Sequence, residues 1–193
     1  DRKKMFRAQI RAIYRASIYG NLAIMYPMIT SMWEVEEIWE IVEDVKKGLD
    51  QREIPYKDIP NGIMVETPAA AMISSELAEK ADFISLGTND LTQYVLAMDA
   101  QNPQLERKFD RHHPGVLRMM EMVIKSTHEA GKKVLVCGEL AAENVMMSVR
   151  SGFRLTISIS LCRQDGILCL RISTLTSASD AVPAAMCVLP SSK

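Results

Sequence analysis

Apolar positions along residues 2–150 recur with two periods that alternate along the chain. Phe6, Ile10, Ile13 and Tyr14 follow helical spacing in a basic stretch over 2–19, with Gly20 as its expected C-cap. Residues 22–28 form an apolar run of strand length. Ser31 and Glu34 then make a capping-box signature. The helix they open carries Val35, Ile38, Val42 and Val45 on one face and is expected to close at Lys46, Lys47 and Gly48. Residues 62–66 read as the next strand. Thr67 and Pro68 then stand as N-cap and first helical residue of an Ala-rich helix. Residues 83–86 read as a strand, 87–90 as a turn and 91–98 as a helix. Pro114 and Gly115 open a long helix expected to end at Gly131. A strand over 134–137 follows, with a helix starting near Glu139.

Short apolar strands separated by helices imply crossover connections and a parallel sheet, expected to be covered on both faces. Four strand–helix units are visible. A closed eight-stranded barrel needs about 250 residues, so the pattern fits half a barrel or a small open sheet.

Residues 151–193 break the pattern. They contain no Glu, and eleven of the 43 are Ser or Thr. Their net charge is +2 against −3 for the first part. A boundary is therefore expected near residue 150, with 1–150 as the structured domain and 151–193 as an atypical tail, frameshifted or disordered. Whole-chain composition is ordinary for a globular protein, at 48% hydrophobic and 24% charged, which excludes disorder throughout. A net charge of −1 without a basic stripe argues against nucleic-acid binding. No apolar run reaches the roughly 18 residues of a membrane span, and the N-terminus has no signal-like apolar region. The chain starts at Asp1 rather than Met and reads as a piece of a longer protein. Four cysteines without a CxxC pair suggest neither a zinc site nor a disulfide framework, and a reducing cytoplasm is expected.

Sites in parallel α/β folds form where strands end. Here three strands run into chemistry-bearing residues: one into Glu66, one into Gly87, Thr88, Asn89 and Asp90, and one into Cys137, Gly138 and Glu139. On parallel neighbours these side chains would share one rim. Two carboxylates from adjacent strands suit Mg²⁺ retaining waters and bridging to a phosphate, although either acid serves equally as a helix cap. Asn89 is a hydrogen-bond donor to a phosphoryl or carboxylate oxygen, or a turn residue beside Gly87. Cys137 is a thiol aimed into the rim or a small buried hydrophobe. His112 and His113 read as a loop leading into the long helix, with ligands or bases as the alternative. The thirteen methionines read as core filling, and Trp33 and Trp39 as packing on one helix.

The segment DFISLGTNDLTQY at 82–94 closely resembles a signature of phosphoenolpyruvate-utilising enzymes. IMYPMI at 24–29, GIMVETPA at 62–69 and VCGELA at 136–141 match the same family in order. Within it, the motifs at 66–69 and 92–94 look like enzyme I of the sugar phosphotransferase system, with pyruvate phosphate dikinase and phosphoenolpyruvate synthase less similar. The resemblance implies a partial (β/α)₈ TIM barrel that binds phosphoenolpyruvate (PEP). Glu66 and Asp90 match the family's Mg²⁺ ligands, Asn89 and Asp90 lie in its substrate site, and Cys137 matches the acid that protonates the enolpyruvate carbon. It further implies transfer of the phosphoryl group to a histidine on a separate domain and on to the phosphocarrier protein HPr for sugar uptake, in the cytoplasm. Two departures stand out. Ala100 occupies the position of a phosphate-binding arginine. Residues 153–193 match none of the family's closing strand or dimerisation helices, so a family-like homodimer is implied only where those helices exist. A reading-frame shift near residue 152 would leave such a composition jump. The alternatives are a dikinase or synthase fragment, or a catalytically incomplete remnant.

Overall fold

In the computed structural model, residues 2–138, 140, 169–171 and 185–188 are described. The chain divides into two compact units. One comprises Asp1–Pro27, Met32–Gly62 and Cys162–Lys193, and the other Met28–Ser31 and Ile63–Leu161. The boundary expected near 150, the helix starting near Glu139 and most of the atypical tail fall outside the described residues.

The first unit is built on two amphipathic helices. Helix α1 (Arg2–Ala16) buries Phe6, Ile10 and Tyr14, the periodic positions of the sequence. A 3₁₀ turn at Ser17–Tyr19 follows. Gly20 ends that turn in extended backbone (φ −172°), so the left-handed cap expected there is not formed. Ser17 explains the tightening: its buried hydroxyl donates to the Tyr14 carbonyl at 2.6 Å and accepts the Lys57 N–H at 2.7 Å. Strand β1 (Ile24–Tyr26) is shorter than its apolar run because Pro27 offers no N–H. Helix α2 (Met32–Asp50) begins directly after Ser31 and buries Val35, Ile38, Val42 and Val45 as expected. It also buries Ile41 and Leu49, and packing of Leu49 carries the helix past Gly48 to Asp50. Trp39 packs edge-on against Tyr26 at 5.4 Å. Trp33, expected to pack as well, is 61% exposed.

Ion pairs Lys3–Glu37 and Arg7–Asp44 link α1 to α2. Both are solvated and add little to stability. The polar centre of this unit is Asn61, on strand β2 (Asn61–Val65). Its Nδ2 donates to the Tyr14 hydroxyl at 3.1 Å and to the Ile59 carbonyl at 2.9 Å, and its Oδ1 accepts from the Tyr26 hydroxyl at 2.9 Å. One amide thus satisfies two buried phenols, which would otherwise cost about 1–3 kcal/mol each. Two short strands of the tail are described: β5 (Cys169–Arg171) pairs antiparallel with β6 (Ala185–Val188), and β6 pairs antiparallel with β1.

The second unit has the strand–helix rhythm read from the sequence. Its strands lie in the order β4 (Lys133–Cys137), β3 (Phe83–Gly87), β2. β3 and β4 are parallel, with Ile84 opposite Val134 and Gly87 opposite Cys137. All five residues of β3 are buried, the signature of a strand covered on both faces. β4 alternates, with Val134 and Val136 buried and Lys133 exposed. The Ala-rich helix is two: α3 (Pro68–Met72) and α4 (Ser74–Lys80) break at Ile73. Helix α5 (Thr88–Leu96) begins three residues earlier than expected and stops at Ala97 in left-handed backbone. Helix α6 (Pro114–Glu129) packs Val116, Met120, Val123 and Ile124 inward. Its N-cap is His113, whose Nδ1 accepts the Gly115 N–H at 3.1 Å. The loop expected at His112 and His113 is thus a histidine-capped helix start. Among the described residues, no helix is long and apolar enough to cross a membrane.

Burial holds the Tyr14 phenol above its ordinary pKa and the Tyr26 phenol well above it. A raised phenol pKa means the folded state keeps protons that the unfolded chain releases near pH 10. Stability is therefore complete below that pH and falls as pH rises above it. Alkaline titration followed by tyrosinate absorbance should show Tyr14 and Tyr26 ionising together with loss of far-ultraviolet circular dichroism. Ionisation of all five tyrosines before unfolding would contradict the burial.

Candidate active site

Glu66 is the first residue after β2 and is only 3% exposed. A buried carboxylate needs donors. One is the backbone N–H of Met28, which donates to Glu66 Oε1 at 2.7 Å. Met28 adopts φ +58°, a left-handed backbone that costs a non-glycine residue about 1 kcal/mol, and this charge-assisted bond offsets that cost. Thr67, next in sequence, donates its hydroxyl to the Ile29 carbonyl at 2.9 Å and accepts the Ala70 N–H at 3.1 Å, which caps α3. Residues 28–31 are thereby tied to the end of β2 at two adjacent positions.

The other side of Glu66 faces the end of β3. A Cβ on Gly87 would fall 2.6 Å from Glu66 Oε2 and 2.7 Å from Glu66 Cβ. Only a residue without a side chain can end β3 here. Helix α5 starts at the next residue, so Asn89 and Asp90 lie in its first turn and not in a turn ahead of it. Asn89 is exposed and Asp90 half-buried. Asp90 Oδ1 accepts from Gln93 Nε2 at 3.1 Å.

The end of β4 closes on the same helix start. Thr88 Oγ1 donates to the Cys137 carbonyl at 3.2 Å. Gly138 has φ +125°, and a Cβ there would collide with Thr88 Oγ1 and lie 3.2 Å from Asn89 Oδ1. Cys137 is half-buried. Glu66 thus meets Gly87, and Thr88 and Asn89 meet Cys137 and Gly138, so the three strand ends form one rim. Sequence reasoning missed Gln93 and the Met28 N–H. Gln93 stands at i+3 from Asp90 on a helix, a spacing that identifies such a pair.

Among the described residues no group of three His, Cys, Asp or Glu side chains could hold a metal ion. Glu66 and Asp90 are carboxylates just past the ends of neighbouring strands, the oxygen donors that a hard cation takes.

Fold and rim define an α/β protein of the class whose chemistry sits at the carboxyl ends of its strands. The family model "PEP-utilising enzyme, PEP-binding domain" matches residues 1–172, and the chain belongs to that family. It is similar to the phosphoenolpyruvate-protein phosphotransferase of Priestia megaterium, 41% identical over 156 residues, covering 80% of this chain and 27% of that protein. The protein of the same name from Buchnera aphidicola subsp. Baizongia pistaciae is 44% identical over 144 residues, covering 74% of this chain and 25% of that one. The chain thus spans about a quarter of the length of the curated relatives it matches. Among solved structures, a citrate lyase from Burkholderia xenovorans LB400 is similar at a TM-score of 0.49 and 24% identity, over 67% of this chain and 40% of that chain.

Gly87→Ala must push the Glu66 carboxylate or the β3 terminus aside, and overpacking of this kind costs about 1–3 kcal/mol. Gly138→Ala adds left-handed strain to a collision and is expected to cost about 2 kcal/mol or more. Thermal unfolding of both variants beside Gly48→Ala, whose new methyl would meet nothing within 4 Å, checks this. Equal melting temperatures for all three would refute the rim packing.

Proposed function

We propose that this chain is the PEP-binding part of a Mg²⁺-dependent phosphoenolpyruvate–protein phosphotransferase, built as part of a (β/α)₈ barrel. The observation that supports the reading is the closure of three strand ends, with Glu66 against Gly87 and with Thr88 and Asn89 against Cys137 and Gly138. The relatives' shared name supports it.

Glu66 and Asp90 would hold Mg²⁺, which when bound neutralises phosphate charge during phosphoryl transfer. Asn89, exposed at the first turn of α5, offers an amide donor to a substrate oxygen. The α5 N-terminus adds backbone N–H groups and a favourable dipole for an anion. As the bond between phosphorus and the enol oxygen breaks, the phosphoryl group passes to a histidine nitrogen of another domain. The enolate carbon takes a proton from the Cys137 thiol and becomes the methyl of pyruvate. From that histidine the group passes to HPr, and the cycle serves sugar uptake in the cytoplasm.

Ala100 favours a second reading. A guanidinium binds phosphate bidentately and a methyl group cannot, so the chain is then a remnant with little affinity for PEP. Calorimetric titration with PEP and Mg²⁺ separates the two. Saturable heat, reduced at least about tenfold in affinity by Glu66→Gln or Asp90→Asn, is expected for the first reading, and absence of heat for the remnant. Exchange of pyruvate methyl protons for solvent deuterium, followed by nuclear magnetic resonance, should slow about a hundredfold in Cys137→Ala. An unchanged rate would remove Cys137 from the chemistry.

A further inference from the structure

Gln93, on α5, joins Asp90 to the segment following the helix. Its Nε2 donates to Asp90 Oδ1 at 3.1 Å, and its Oε1 accepts the Ala100 N–H at 3.1 Å. Its backbone carbonyl also accepts the Met98 N–H at 3.0 Å. The chain reverses at Ala97 (φ +51°, ψ +41°), and Asp99 Oδ1 accepts the Gln101 N–H at 2.8 Å to close the next turn. Both carbonyl oxygens of Gln93 therefore hold the 97–101 turn, while its amide nitrogen holds a carboxylate one helical turn back.

We propose that Gln93 is a positioning residue that orients the Asp90 carboxylate for a divalent cation and couples cation binding to the order of the 97–101 turn. The inference rests on the reading of Glu66 and Asp90 as cation ligands. A planar amide cannot rotate to improve one bond without moving the other. With Oδ1 engaged by the amide, the Asp90 carboxylate is held in one orientation, and an oriented ligand binds with less entropy to lose. A partner of this kind typically carries a factor of 10–100 in metal affinity. Coupling is reciprocal: a cation that stiffens Asp90 stiffens Gln93, and Gln93 then holds the Ala100 N–H more firmly. The turn so held carries Ala100. That position is thus set by backbone anchoring even though its side chain here is a methyl group.

Two measurements test this. Mn²⁺ affinity, read by water-proton relaxation, is compared in the wild-type chain, Asp90→Asn and Gln93→Met. Amide hydrogen exchange at Ala100 is followed in the wild-type chain with and without Mg²⁺, which requires no variant to fold. The expected results are Mn²⁺ binding that Asp90→Asn removes, about tenfold weaker binding in Gln93→Met, and severalfold slower exchange at Ala100 when Mg²⁺ is present. Wild-type binding with unchanged affinity in Gln93→Met, or Mg²⁺-insensitive exchange at Ala100, overturns the role of Gln93 alone. Failure of the wild-type chain to bind Mn²⁺ removes the cation reading and this inference together.

Discussion

Glu66 Oε2 occupies the space that a side chain on Gly87 would fill. The second unit is organised around that contact. With bare backbone at Gly87, β3 can end against a buried carboxylate, and α5 can start on the next residue. Asn89 and Asp90 then emerge in the first helical turn beside Glu66's strand, and Thr88 reaches the Cys137 carbonyl. A larger residue at 87 would displace Glu66, and with it the anchor of the 28–31 segment. Close approach of backbone to a charged group is the physical use of glycine here, more than flexibility.

Two positive-φ residues lie at the same rim. Met28 and Gly138 both have positive φ, and both sit directly against site residues. Strain of this kind persists only where surrounding contacts over-determine it. The surroundings here are rigid: β3 is buried throughout, and Ile84, Leu86 and Leu91 have no exposed surface. The apolar core thus stabilises a costly polar edge, where the Met28 N–H anchors the Glu66 carboxylate and Gln93 holds the Asp90 carboxylate.

The first unit solves a different problem with similar economy. Its helices are joined on the outside by solvated ion pairs of little consequence. What specifies the interior is the hydrogen-bond chain from Tyr14 through Asn61 to Tyr26, together with the ring contacts of Tyr14 on Tyr56 and of Tyr26 on Phe6 and Trp39. Lys46 lies 5.4 Å above the Tyr14 ring and pairs with Asp58 at 3.0 Å, so a charge is held over an aromatic face and is answered.

Local periodicity by itself located the main helices and strands of residues 2–138, because burial of one face dictates a spacing that can be counted, but it did not show the break of the Ala-rich helix at Ile73. It also placed Glu66 and Cys137 at strand ends, since turn and cap residues mark where apolar runs stop, whereas Asp90 lies in the first turn of α5. Boundaries moved where long-range packing outweighed a local signal: Leu49 drew α2 past Gly48, and Ser17 tightened the end of α1 before Gly20 could cap it. Periodicity gave no sign that Trp33 would face solvent or that His113 would cap α6. Only the tertiary structure decided that Met28 donates to Glu66, that Gly87 and Gly138 must lack side chains, and that Gln93 bridges Asp90 to Ala100. Those contacts join residues whose meeting depends on strand adjacency and helix phase, quantities that no one-dimensional pattern contains.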